Sequence, residues 1–460
     1  MSASEGWHPP VLGVTQDVFF DRGWGCQMPT IVAGEGIHLI DSHGRRLLDV
    51  CSGPFLANLG QGNERVLQAM LEQGRKLTYT YSRTTRHAAN AALAERLARL
   101  AGPGLERAHL TSGGSEAVEM ALKFLRAHAV ATGQAERRAV ISLMPGYHGA
   151  TLQTLATNGD LQADALWGPM AVPSAKVPAP LTFRASSPEA AAAASLAALE
   201  ETVARIGPEQ VLALVVEPIG GQASGVNVPH PSFLTGARAI CDRNGVRLVF
   251  DEIVTAFRTG RFLAAQHHPE ALPDIAVMAK GLGAGYCPLG AALMPAALVE
   301  ELAASGGFLV SHSYDANPIA CAAGAAVLDE VVERDLIAHA ERTGARLRHG
   351  LEELASRSPL IGDVRGRGLL LAIELVADRD SLGQFPAAVD PGAAVLRHGL
   401  DHGLLLYSRR QNQGCFGDWL LIAPPLVIDD QGCDELLCGL GASLEAASDE
   451  LLRAVRQAAG

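Results

Sequence analysis

An α/β protein built on a mostly parallel sheet is what the sequence predicts, from three observations. Between about residues 105 and 295, short apolar runs alternate with longer helix-like segments, the rhythm of a parallel sheet covered by helices. The runs HLTSG (109–113), AVISL (139–143), VLALVV (211–216), RLVF (247–250) and IAVMA (275–279) have the length and aliphatic content of buried strands. Each run also delivers a polar or aromatic group just past its end: TSGGSEA after the first, MPGYHG after the second, then Glu217, Asp251 and Lys280. Ligands collect at the carboxyl ends of such strands, because loops and helix N-termini converge there.

Around this centre the pattern changes. The hairpin-like IHLIDSHGRRLLDV near the start, and the amphipathic helices and strand-like LLLAIEL (369–375) near the end, predict a second, smaller α+β domain made from both termini. The expected organisation is residues 1–70 and 331–460 as the two parts of the small domain, and 71–330 as the large ligand-binding domain. Residues 158–184 are Pro-rich and irregular and are expected as a long surface loop, followed by a helix over 189–206.

A chain of 460 residues, 48% hydrophobic and 19% charged, has room for a sizeable core and about two or three domains. A net charge of −12, with no Lys/Arg-rich run, argues against nucleic acid as a partner. The cysteines at 26, 51, 241, 287, 321, 415, 433 and 438 show no zinc-ligand spacing and are expected as reduced thiols, with no metal site. MSASEGWHPP lacks a basic start and apolar core, and no run reaches the roughly 18 apolar residues of a membrane span, so the expectation is a cytoplasmic protein.

Three strand ends carry the chemistry. In TSGGSEAVEMALKFLR (111–126), Val118, Ala121, Leu122 and Leu125 form one apolar helix face, with Ser115 expected as its cap and Glu116 and Glu119 at its positive end. The amides of Gly113, Gly114 and Ser115 then make either a phosphate cradle or an ordinary Gly-Ser turn. Asp251, at the end of an apolar strand, needs a cation or N–H partner to stay ionised, unless it caps a helix over Val254–Phe257. Lys280 follows five apolar residues, a setting that disfavours a charged amine, and the glycines after it let backbone pass close to a ligand; alone, it is equally a strand-capping surface lysine. Together the three are the anchors of pyridoxal phosphate: helix N-terminus for the phosphate, carboxylate for the ring nitrogen, amine for the aldehyde. Lys280 would afterwards act as the base that moves a proton between substrate carbon and cofactor.

At this point the chain resembles the class III aminotransferases, a pyridoxal-phosphate family. The resemblance covers nearly all of it, through GIHLIDSHGRRLLDVCSG, NLGQGN, TSGGSEAVEMALK, GYHG, VVEPIGGQASG, LVFDEIVTAF, DIAVMAKGLGAGYCPLG, HSYDANPIACAAG, DVRGRGLLLAIEL and APPL in the family order. It implies a fold type I enzyme, a homodimer or dimer of dimers with active sites at the subunit interface. It further implies Tyr147 and Ile253 on the two faces of the cofactor ring, and Ser313, where a threonine is usual, reaching the neighbouring subunit's phosphate. Glu217 matches a glutamate that pairs with an arginine or meets substrate, or else only braces the loop before Pro218. Phe55 matches a substrate-side aromatic or a core residue, and Val254 departs from the glutamine many members use on the ring hydroxyl. For the acceptor carboxylate, Tyr407 stands near the usual arginine position and Arg409 is the candidate, although Arg409 and Arg410 equally read as a solvated loop pair; Arg365 and Arg367 read as loop supports.

The expected activity is transfer of an amino group from a primary amine or omega-amino acid to a small 2-oxo acid, pyruvate ahead of 2-oxoglutarate, with these small molecules as partners. Two other readings stand beside it. DEIVTAFRTG is similar to the glutamate-semialdehyde aminomutase, which would make the protein a mutase, racemase or decarboxylase on the same fold. A binding protein without chemistry is the other, but it has no reason to keep both Lys280 and Asp251.

Overall fold

The computed structural model describes residues 28–308 and 310–458; the stretch MSASEGWHPP and Cys26 lie outside the described residues. The first strands of the described residues are β1 (Ile31–Glu35), β2 (His38–Asp41) and β3 (Arg46–Asp49). The middle holds β4 (Arg107–Thr111), β5 (Ala139–Met144), β6 (Ala175–Pro178), β7 (Val211–Val216), β8 (Arg247–Asp251), β9 (Ile275–Met278) and β10 (Gly290–Met294). The last group is β11 (Ile361–Arg367), β12 (Leu370–Leu375), β13 (Leu404–Leu405), β14 (Tyr407–Arg410) and β15 (Asp418–Ile422).

The middle strands form a seven-stranded sheet in the order β4-β10-β9-β8-β7-β5-β6. Pairings from β6 through β9 are parallel, while β10 is antiparallel to both β9 and β4. Two reversals in succession return β4 to the common direction, so β4, β5, β7, β8 and β9 all point their carboxyl ends to one edge. Alternate residues feed the two faces. Leu248 and Phe250 of β8 and Met278 of β9 join one apolar cluster, whereas Val249 and Val277 join the other, with Val118, Ala121, Leu122 and Leu125 of the helix Gly114–Ala131. Burying each such aliphatic side chain stabilises the fold by about 1.5–3 kcal/mol.

The sequence gives no expectation of β10, a short Ala-containing run behind Pro288 whose β-propensity is weak. The expected surface loop at 158–184 is also corrected. It carries the helix Leu161–Trp167, a 3-10 turn at Gly168–Met170 and edge strand β6. Asp160 starts that helix by accepting the Gln162 and Ala163 amides at 3.0 and 3.1 Å, and Pro178 is tolerated because β6 has a neighbour on one side only. The helix expected over 189–206 is present as Pro188–Ile206.

The remaining strands form two four-stranded sheets. β3 pairs in parallel with β13, Leu48 opposite Leu404, in a four-stranded sheet β1-β2-β3-β13. A second four-stranded sheet, β11-β12-β15-β14, is antiparallel throughout. The helices Glu64–Lys76 and Pro318–Glu333 run across residues 70 and 330 and pack against each other. No helix among the described residues is long and apolar enough to cross a membrane. The seven cysteines among them are free thiols.

Candidate functional site

At the carboxyl edge of the seven-stranded sheet lies a cavity of about 470 Å³. Its wall takes Ser112, Gly113, Gly114 and Ser115 from the turn after β4, Tyr147 to Gly149 from the loop after β5, Glu217 from the end of β7, Asp251, Ile253 and Val254 from β8 onward, and Lys280 from the end of β9. Of the residues expected from sequence, Gly113, Gly114, Ser115, Tyr147, Glu217, Asp251, Ile253 and Lys280 therefore meet in one place.

The glycine turn opens the 18-residue helix Gly114–Ala131. Its cap is Gly113, with extended backbone, and not Ser115 as expected; the Ser115 hydroxyl lies within the first turn and accepts the Ala150 amide at 2.9 Å. Glu116 satisfies the amide of Ser112 instead, at 2.8 Å. The Ser112 hydroxyl is buried and has no hydrogen-bond partner among the described residues. A helix N-terminus with an orphaned hydroxyl beside it fits a phosphate.

Asp251 is 4% exposed. One of its oxygens accepts the Ile253 amide at 3.1 Å, and the other meets Nδ1 of His148 at 2.9 Å. No helix follows it: residues 253–258 form turns, so the expected alternative of a helix over Val254–Phe257 is overturned. His148 is 1% exposed and its Nε2 has no partner, which leaves Nδ1 to donate to the carboxylate and fix its direction. Asn158 locks the loop that carries Tyr147 and His148, accepting the His148 amide at 2.5 Å and donating to the Gly149 carbonyl at 2.9 Å. Neither residue was expected from sequence, although His148 stands next to Tyr147 in GYHG, where a polar side chain beside a strand end is itself a signal.

Lys280 leaves β9 with φ +40°, a left-handed conformation costing about 1–2 kcal/mol for a residue with a side chain. The Gly283 and Ala284 amides donate to its carbonyl at 3.1 and 3.0 Å and hold that bend. Burial keeps its amine below the ordinary lysine value; the Asp251 and Glu217 carboxyls oppose the shift. Glu217 accepts the Gly221 and Tyr147 amides at 2.8 and 3.2 Å, so it braces two loops while facing the cavity, and burial raises its carboxyl above the usual range. Burial likewise raises the Tyr147 phenol.

Three expected residues stand off the wall. Phe55 is buried, stacks edge-on against Tyr407 at 6.1 Å and carries Nζ of Lys280 at 5.1 Å from its ring centre, so it packs behind the amine. Ser313 is exposed in a turn. Arg409 is half-buried, 3.7 Å from Asp160. Arg409 and Arg410 lie in strand β14 and are not a solvated loop pair; Arg410 is paired with the buried Asp418 at 3.0 Å. Arg365 binds Glu374 and the Gly225 carbonyl, the loop-supporting place expected for it.

A phosphate-ready helix end, an oriented carboxylate and an amine of lowered basicity at one cavity fit pyridoxal phosphate. Comparison with known proteins agrees. The aminotransferase class-III family matches residues 22–444. The putrescine–pyruvate aminotransferase of Pseudomonas aeruginosa is 31% identical over 88% of this chain and 88% of its own. The diaminobutyrate–2-oxoglutarate transaminase of Halomonas elongata is 29% identical over 92% of this chain and 91% of its own. The solved PLP-bound amine transaminase from an uncultivated Pseudomonas species superposes with a TM-score of 0.86 at 30% identity, covering 97% of this chain and 99% of that one. This fold type I chain, with its glycine turn, aspartate and lysine at one sheet edge, belongs to the class-III aminotransferases, a PLP-dependent family.

Proposed function

We propose that the protein uses pyridoxal phosphate to move an amino group from a primary amine or omega-amino acid to a small 2-oxo acid, pyruvate in preference to 2-oxoglutarate. The cofactor, when bound, supplies an electron sink for the carbon next to the transferred nitrogen. The amides of Gly113, Gly114 and Ser115, with the Ser112 hydroxyl, would hold its phosphate at the helix N-terminus. Asp251, oriented by His148, would hold a proton on the ring nitrogen. Tyr147 and Ile253 would flank the ring, and Nζ of Lys280, less basic than an ordinary lysine, would take the proton from the substrate carbon and return it. In the assembled dimer, Ser313 would serve the neighbouring subunit's site.

The observation that carries the acceptor preference is the wall itself. Around Lys280 it is built from Leu56, Val254, Tyr147 and Ile253, and no arginine belongs to it among the described residues, so a second carboxylate on the acceptor finds no bidentate clamp there. Arg409 supports a second reading. It lies close enough to the Tyr147 phenol to counter part of the rise that burial causes, and a rotation into the cavity would give a dicarboxylate such as 2-oxoglutarate its partner. A donor-by-acceptor panel separates the two: pyruvate is expected to give the higher kcat/KM with primary amines. Turnover with 2-oxoglutarate alone would overturn the first reading and favour the second.

A further inference from the structure

Arg258 is among the largest fully buried side chains of the protein, and no described carboxylate makes an ion pair with it. Neutral groups hold its charge. One terminal nitrogen donates to the carbonyls of Leu369, Ala423 and Pro424 at 3.3, 3.1 and 2.9 Å, and the other to the Ser52 hydroxyl at 3.0 Å and the Asn58 side-chain oxygen at 2.5 Å. A guanidinium isolated in this way is costly to bury, and burial lowers its own basicity to about 10.

Asn58 carries the contact onward. It is 1% exposed, its carbonyl accepts the Leu426 amide at 2.7 Å, and its side-chain nitrogen is buried with no partner among the described residues. That nitrogen lies against Gly281, the residue after Lys280: a Cβ built on Gly281 would sit 2.0 Å from it and 3.3 Å from the Phe257 ring. On the side a Cβ would take, the backbone beyond Lys280 thus packs directly against Asn58, which Arg258 holds, with Phe257, the residue before Arg258, next to it.

We propose that Arg258 is a positioning residue for the reacting lysine: through Asn58 it fixes the backbone at Gly281 and with it the reach of Lys280 Nζ into the cavity. The inference rests on Lys280 being that amine. The groups that act on the amine's charge are Asp251, Glu217 and Cys51, which favour it, and Arg258, which opposes it. Arg258 in turn feels Cys51 and Asp49.

Asn58→Ala cuts the link and leaves Arg258 its four other acceptors. In the PLP-loaded variant, the pH midpoint of the visible absorption band is expected to move by about half a unit or more, and kcat to fall about tenfold with the donor KM within about twofold. Arg258→Lys keeps the charge but loses the fork, and is expected to lower kcat with a smaller midpoint shift. A purely structural role would lower the Tm of Asn58→Ala while leaving its midpoint and kcat at wild-type values, and that result overturns the proposal even if Arg258→Lys fails to fold. A wild-type band that survives in Lys280→Ala would remove the premise about Lys280, and the inference with it, whatever Asn58→Ala does.

Discussion

A lysine amine held in the same wall as Tyr147 and Ile253 is costly to keep protonated, and the cost links activity to stability. An unfolded chain holds the lysine proton up to its ordinary value of about 10.4, whereas the folded chain releases it lower. In the interval the unfolded state binds more protons, so stability rises with pH through that window and is reduced below it. Lys280→Met keeps the volume and removes the charge. The cofactor-free variant is expected to melt above the wild type near neutral pH, with the gap narrowing as pH approaches about 10. A gap that stays constant across a pH series of melting curves would show that the amine is not desolvated. The proposed role of the same side chain has its own test: Lys280→Ala is expected to lose about 10²–10⁴-fold in kcat, the range for removing a positioned proton carrier.

The turn from β4 into the helix Gly114–Ala131 shows how an element sets a binding constant. A Cβ on Gly114 would come 2.8 Å from Cδ1 of Ile253 and 3.5 Å from Ala279. Gly114→Ala therefore pushes the helix N-terminus, with the amides proposed to hold phosphate, off Ile253. The expected outcome is about a tenfold weaker hold on PLP in a fluorescence titration, with the far-ultraviolet helix signal unchanged. Wild-type affinity in that variant would mean the amides do not hold the phosphate. Elements of this kind were legible in the sequence because β7, β8 and β9 are buried on both faces and read as unbroken apolar runs. The cap was not: the helix starts at Gly114 with Gly113 as its cap, so Ser115 lies inside the first turn and its hydroxyl serves the Ala150 amide. His148 escaped for a different reason, since its partner Asp251 lies 103 residues away and no local pattern announces such a pair.

For the whole molecule, the joint between the terminal sheets and the central part sets buried polar contacts beside an apolar cluster that packs Leu370, Trp419 and Leu421 against Ile219 and Val226. Besides the Arg258 contacts, Glu374 of β12, 1% exposed, receives Arg365 at 2.7 Å and Arg184 at 2.8 Å, while Arg365 also donates to the Gly225 carbonyl in the loop after β7. One carboxylate thus ties the C-terminal sheet to two loops of the central part, across 190 residues in the case of Arg184. The changed pattern of the terminal runs marks them off from the central strands in the sequence, but these bonds are not legible there, because they exist only once distant segments are side by side. Removing the shared partner leaves two guanidiniums without it, one of them buried beside Trp419. Glu374→Ala is expected to destabilise the fold by about 3–5 kcal/mol, as breaking a buried ion pair does. The check is the urea midpoint of the loaded protein, read together with its visible absorption band. A midpoint near wild type would mean that apolar packing alone holds the sheets together. A lost midpoint with an unchanged band at low urea would show that the joint supports the molecule without shaping the site.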